Sequence, residues 1–389
     1  MNKIQRTLGV LVVLGVFAAA CTADDTAPTT PDETTQTDPG TTDTTAASGS
    51  TDQTTPVAGQ TGGATLDEVR ARGVLKCGVG GSAVAFSETQ SDGSMTGFDA
   101  DMCRAVAAAV LGDATKVEFS ALTAAERFTA LSAGEVDLLI RNTTFTQSRD
   151  TTLGLDFGPT TYFDGQGVMG KASDGFTADS TLADVDGAVL CTNAGTTTEK
   201  NISEGAALAG ATIVLSTVAE FPEAMEGFKA GSCDLVTTDA SGLVGNMVTA
   251  IRDGEIQEGE WVVFPRAPIS KEPLGPVYRQ NDSQWADIIN WTVYATFIAD
   301  ELDVTSGNVD SIIGASDLHP ELGRLLGVSA DELQTSMGLS ADAFYQVISQ
   351  VGNYDEIFSR NLNPVGLFRE GSFNAQWYDG GMIYAPPAR

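Results

Sequence analysis

GEVDLLIRNTTFTQSRDTTLGLDFGPTTYFDGQGVMG, residues 134–170, sets the reading of the whole chain. A short run from Val136 to Ile140, apolar apart from Asp137, follows Gly134 and reads as a buried strand of the parallel kind. Hydroxyls and amides come at once after it: Asn142, Thr143, Thr144, Thr146 and Ser148, then Arg149. In an open α/β sheet, ligands sit beyond the carboxyl ends of the strands, so a site is expected here. A guanidinium behind a row of donors suits a small carboxylate, which it grips through two parallel hydrogen bonds. Taken alone, the stretch fits a solvated loop with a surface arginine equally well.

A second stretch decides between them. Leu131–Leu139 reads LSAGEVDLL and Phe228–Val236 reads FKAGSCDLV, one pattern of apolar-x-Ala-Gly-x-x-Asp-Leu-apolar. In each, a helix ends at a glycine (Gly134 or Gly231) able to take a left-handed cap, and a strand begins directly afterwards. The second copy also ends in polar residues: Thr237, Thr238 and Asp239. Two lobes of like build would each present polar groups at strand ends, Arg149 from one and Asp239 from the other. An anion-binding base facing a cation-binding acid suits a zwitterion.

Residues 1–21 read as an export signal. Lys3 and Arg6 precede an apolar run from Leu8 to Ala20, which at roughly a dozen residues is too short to span a bilayer. Ala18-Ala19-Ala20-Cys21 has the form of a lipoprotein box with Cys21 as the lipidated residue. Plain cleavage is the alternative, because Ala18 stands where leucine is usual. Residues 22–64 are about one-third Thr, with no Lys or Arg and almost no large apolar side chain. Such a segment buries too little apolar surface to offset its ordering entropy and is expected to be a disordered tether.

The remaining body is long enough for two lobes, 65–164 with 267–389 and 165–266, each with its own core. A net charge of −31 argues against nucleic acid and against a basic membrane-binding face. Of five cysteines, Cys21 belongs to the leader, and the other four allow three pairings. Cys77 lies on the first strand and Cys103 on the first helix; Cys191 lies on a later strand and Cys233 starts the strand of the second repeat. One staple per lobe is expected, Cys77–Cys103 and Cys191–Cys233, in an oxidising compartment. The spacings do not fit a zinc ribbon, so no metal site is expected.

Within the first lobe Asp99 is expected to cap a helix whose apolar stripe, Cys103, Val106 and Val110, closes at Gly112. Thr123-Ala124-Ala125-Glu126 is a capping box opening the helix that carries Arg127. A cation in that first turn opposes the helix dipole and so needs an anionic partner: Glu126, another acid or a ligand. In the second lobe Val189-Leu190-Cys191 forms a strand that leads through Gly195 into Thr196, Thr197 and Thr198. A helix starting there offers free N–H groups to a carboxylate, while Thr196 or Thr197 serves as its cap. From about 267 the chain returns to the first lobe through the extended ISKEPLGPVY (269–278) and an amphipathic helix from Trp285 to Ala299.

At these residues the chain resembles the periplasmic-type substrate-binding proteins of ABC importers, in the group that takes general or polar L-amino acids. The likeness spans nearly all of 65–389. It is carried by LTAAERFTALSAGEVDLLIRNTTFTQSRD, FDGQGV, CTNAGTTTE, CDLVTTDASGL, ISKEPLGPVYRQ, QWADIINWTVYA, VGNYDEIF and GGMIYAPPAR. The resemblance implies a type II periplasmic binding fold: two Rossmann-like α/β lobes joined by a two-strand hinge, closing on a ligand. It implies that Arg149 holds the ligand's α-carboxylate with Thr144, Thr196 and Thr197, and that Asp239 takes the α-ammonium with Asn142 and Thr238. Phe86 would lie against the ligand, and Arg127 matches a position that reaches acidic side chains in glutamate/aspartate-type relatives. A further basic residue of those relatives is replaced here by Gly80-Gly81, which puts strict acidic specificity in doubt. The implied ligands are glutamate, aspartate, glutamine, asparagine or a broader set, with no cofactor. The implied partner is an ABC permease, served by a monomer held outside the cytoplasmic membrane.

Two other functions fit the same scaffold. A secreted dehydratase would need an acid–base group, yet the single histidine, His319, sits in a distal helical region and Asp239 is accounted for by an ammonium. A sensor feeding a signalling partner would have much the same sequence.

Overall fold

The computed structural model describes residues 64–329, 331 and 333–389. The export signal, Cys21 and the tether up to residue 63 lie outside the described residues. Ala64, expected as the tether's last residue, already opens a helix, Ala64–Arg72.

Two five-stranded sheets share one plan. The first runs Val117–Ala121, Leu75–Val79, Leu138–Leu139, Val277–Arg279, Leu155–Phe157, the first three parallel and Val277–Arg279 antiparallel to its neighbours. The second runs Val214–Val218, Val189–Asn193, Leu235–Asp239, Gln166–Lys171, Trp261–Phe264, again three parallel strands and then an antiparallel one. In each lobe, the fourth strand is the segment arriving from the other lobe. The two crossings pair with one another, Tyr162–Asp164 against Glu272–Leu274. A hinge of two antiparallel strands therefore continues directly into both sheets.

The repeated motif builds the same junction twice. Gly134 and Gly231 take left-handed conformations, with φ of 74° and 79°. The motif's aspartate then ties its strand to the parallel strand beside it: Asp137 accepts the Lys76 N–H at 2.8 Å, and Asp234 accepts the Val189 N–H at 2.8 Å. Asp137 also pairs with Arg72, while its carbonyl accepts the Trp285 indole N–H at 3.1 Å.

The helix Phe98–Leu111 corrects one expectation. Its cap is Gly97 at φ 124°, not Asp99. A Cβ at Gly97 would stand 2.3 Å from the Phe86 carbonyl oxygen, so only glycine fits. Asp99 lies buried inside the first turn, free to bond elsewhere. The far end is as expected, with Gly112 left-handed at φ 71°.

The C-terminal helices enlarge the first lobe's core and reach the hinge. Phe98, Tyr162, Phe297, Tyr354 and Phe358 form one aromatic cluster, mostly edge to face. Tyr354 donates its hydroxyl to the Thr161 carbonyl at 2.8 Å. Asn374 holds Phe163 by both backbone groups, accepting from its N–H at 2.7 Å and donating to its carbonyl at 3.1 Å. The second lobe has separate apolar clusters about Phe228 and Trp261 and about Ile202 and Phe264.

Cys77–Cys103 and Cys191–Cys233 are disulfides, closing 26- and 42-residue separations and stapling a strand to a helix or strand start in each sheet region. Loops of this length are constrained mainly in the unfolded chain. Replacing Cys191 and Cys233 together by serine is expected to cost about 2–4 kcal/mol in a denaturant titration. An unchanged unfolding midpoint would contradict that role.

Candidate functional site

A cavity opens where the parallel strands of both sheets end. From the first lobe, the loop after Leu75–Val79 brings Gly80, Ser82 and Phe86; that after Val117–Ala121 brings Ala124 and Arg127; that after Leu138–Leu139 brings Arg141, Asn142 and Thr144. From the second, the loop after Val189–Asn193 brings Thr196 and Thr197, that after Val214–Val218 brings Glu220, and the end of the strand Leu235–Asp239 itself brings Thr238 and Asp239. The lobes meet across it, with Asn142 Nδ2 donating to Asp239 Oδ2 at 3.2 Å and Ser82 Oγ donating to Glu220 Oε2 at 2.9 Å.

The first wall is cationic. Arg127 is only 3% exposed. Its Nη1 makes two long contacts of 3.5 Å, to the Arg141 carbonyl and Thr143 Oγ1, and its buried Nε has no partner among the described residues. Burial first, then the neighbouring Arg141 and Arg149, pushes its pKa well below the usual guanidinium range. The capping box beneath it is present, with Thr123 and Glu126 bonded reciprocally, so Glu126 is occupied there and is not Arg127's partner. Arg149 stands behind the cavity surface. Its Nη1 donates to the Thr144 carbonyl at 2.9 Å, and its guanidinium lies 5.2 Å over the Phe128 ring. Burial lowers its pKa to about 10, against the pull of Glu272 and Asp239.

The opposite wall is acidic. Asp239 precedes the helix Ala240–Arg252 without capping it, so its carboxylate is left to face the cavity. Burial, then the charges of Asp164 and Glu272, pushes its pKa well above the ordinary carboxylate range. Such a group calls for a cation. Thr196 caps the helix Thr197–Leu208, accepting from Glu199 N at 3.1 Å and donating to the Asn193 carbonyl at 2.8 Å. What remains for an anion there is the helix's first N–H groups. Phe86 belongs to the core, edge-on to Phe98 and Tyr162 at 6.0 and 5.2 Å, and only borders the cavity. Asn142 is left-handed at φ 31°, with its N–H held by Asp99 Oδ2 at 2.7 Å.

Sequence reasoning missed Glu272, Arg141 and Glu220. Glu272, on the returning crossover, is 1% exposed. Its carboxylate accepts from Thr144 Oγ1 (2.5 Å), Thr197 Oγ1 (2.9 Å), Asn201 Nδ2 (2.8 Å) and Ser270 Oγ (2.6 Å). The hydroxyls of Thr144 and Thr197, expected on a ligand, thus bond the hinge instead. The available signal was a lone acid inside the otherwise uncharged EPLGPVY. Among the described residues, no acidic, histidine or cysteine cluster suits a metal ion.

Asp99 carries a pH dependence. Burial raises its pKa from 3.8 to about 7, against the bond from Asn142 and the charge of Arg141. A carboxyl raised by folding stabilises most below its unfolded value, and the contribution is withdrawn as pH rises toward the folded one. Asp164 acts in the same direction, raised to about 6. Asp99→Asn, neutral throughout, is therefore expected to lose less melting temperature than the parent between pH 5 and pH 8. Parallel curves would contradict it.

Residues 75–305 match the family model for bacterial extracellular solute-binding proteins, family 3. The chain is 44% identical over 336 residues to the glutamate/glutamine/aspartate/asparagine-binding protein BztA of Rhodobacter capsulatus, covering 86% of this chain and 96% of that one. It is 42% identical to the general L-amino acid-binding periplasmic protein AapJ of Rhizobium johnstonii, covering 84% and 93%. Among solved structures, an ABC transporter/periplasmic binding protein from Brucella ovis with glutathione bound is 42% identical, with a TM-score of 0.77 over 84% of this chain and 99% of that one. An ancestral arginine-binding protein, 25% identical with a TM-score of 0.51, covers 60% of this chain but 96% of its own. The chain belongs to the bacterial extracellular solute-binding proteins of family 3, and it is a binding protein, not an enzyme on the same scaffold.

Proposed function

We propose that this protein is the extracytoplasmic receptor of an ABC importer for L-amino acids with polar or acidic side chains. The observation that carries this reading is the opposition of a buried carboxylate, Asp239, to buried guanidiniums across one cavity, with Arg127 Nε left unpartnered. A zwitterion supplies both missing charges. Its ammonium neutralises Asp239, beside Asn142 and Thr238. Its carboxylate takes Arg149, the Thr144 segment and the helix start at Thr196 and Thr197, while Arg127 adds positive charge to the same wall. The names of BztA and AapJ agree with a broad, polar preference.

In this reading the moving parts are 65–164 with 267–389, and 165–266, turning about the paired crossovers. Closure buries the ligand and forms the face that a permease recognises. The leader preceding Cys21 exports the chain, lipid on Cys21 holds it to the outer face of the cytoplasmic membrane, and residues 22–63 give a monomeric body its reach.

Arg149→Ala removes the paired hydrogen bonds to the carboxylate and leaves that anion without a partner in a closed site. Binding of every amino-acid ligand is expected to disappear in calorimetry. Micromolar binding retained by this variant would sink the assignment.

A further inference from the structure

One part of the cavity is built from small residues, with a charge on either side. Gly80 and Ala83 lie close to Arg141: a Cβ built on Gly80 would stand 3.4 Å from Ala83 Cβ and 3.6 Å from Arg141 Cγ. Ser87 Oγ would stand closer still, at 3.0 Å, so a glycine here lets the backbone pack tightly against the Arg141 stem. Arg141 gives its Nε–H to the Leu122 carbonyl at 2.8 Å, and its two terminal nitrogens make no bond among the described residues. Glu220 faces it from the second lobe and heads the opposing charges that Arg141 feels.

Glu220 sits at the start of the helix Phe221–Ala230 without capping it. Its Oε2 accepts from Ser82 Oγ across the cleft at 2.9 Å, and its Oε1 has no partner among the described residues. Unmatched donors from one lobe and an unmatched acceptor from the other thus border the same space.

Resting on the amino-acid reading above, we infer that Arg141 and Glu220 together read the end of the bound side chain, that the group they fit is a carboxamide, and that Glu220 sets the preference for amide over acid. An amide presents an acceptor oxygen and two N–H donors on one plane. The oxygen meets Arg141 and the N–H groups meet Glu220, so both charged residues are satisfied. A side-chain carboxylate satisfies Arg141 but sets a second negative charge against Glu220. A cationic side chain satisfies Glu220 and opposes Arg141. Because Glu220 is carried by the second lobe, the discrimination operates when the lobes close.

Calorimetric titration of the full chain, freed of carried-over ligand, with L-glutamine and with L-glutamate tests this. Glutamine is expected to bind more tightly. In Glu220→Gln the glutamine-to-glutamate affinity ratio is expected to fall by about tenfold, chiefly through tighter glutamate. Glu220→Ala, which removes the same charge, is expected to lower the ratio as well, and Arg141→Met to weaken both ligands. Melting curves without ligand check that each variant is folded. Both ligands still bound, with their ratio unchanged in the two Glu220 variants, would overturn the role of Glu220 and leave the amino-acid receptor standing. A native chain that binds neither would overturn both readings.

Discussion

Three guanidiniums, Arg127, Arg141 and Arg149, are buried on one wall of the cleft, and the rest of the site answers to them. Each loses solvation, and Arg127 also feels the other two. Buried charge of one sign is tolerated only with opposite charge nearby. The fold supplies it from elsewhere: Asp239 and Glu220 on the second lobe, Glu272 on the crossover and Asp99 behind the first wall. The acids carry the mirror-image cost, since burial and mutual repulsion raise Asp239 and Asp164. In the proposed reading, bringing the lobes together is an electrostatic event that a zwitterion placed between them completes. In that reading its two charges go to the two walls.

The mechanics follow from how the strands cross. Each sheet takes as its fourth strand the segment arriving from the other lobe, so in the proposed reading a rotation at the crossovers reaches both sheets. Glu272 sits on this hinge with bonds to Thr144 in one lobe and Thr197 and Asn201 in the other. The C-terminal helices and the turns after them hold the outgoing crossover through Tyr354 and Asn374. They lie largely beyond the part matched by the family model, which ends at residue 305. In this chain the hinge is therefore embraced by a segment additional to the two basic lobes.

The architecture was legible because its signals are local. The motif around Gly134 and Gly231 is nine residues long, and its glycines and aspartates do the same work in both copies. Polar residues after short apolar runs marked the strand ends, which put Asn142, Thr144, Thr196, Thr238 and Asp239 around one cavity. What stayed hidden depends on distant partners. Thr144 and Glu272 are 128 residues apart, and Ser82 and Glu220 are 138 apart; no spacing pattern links either pair. Asp99 carries a cap-forming residue type at a helix start, but the glycine before it was required by the closeness of the Phe86 carbonyl, which only the folded chain reveals. Arg149 was found by its neighbours in sequence, while its setting behind the cavity surface was not.

The most direct measurement sets L-glutamine against two analogues that each lack one charge, 4-aminobutanamide without the α-carboxylate and glutaramic acid without the α-ammonium. All three would be titrated calorimetrically into the full chain at one pH and salt concentration. If Arg149 and Asp239 hold opposite ends of a zwitterion, L-glutamine binds and both analogues fail, because each leaves a buried charge unpaired. Affinity for either analogue within a few-fold of that for glutamine would contradict the account.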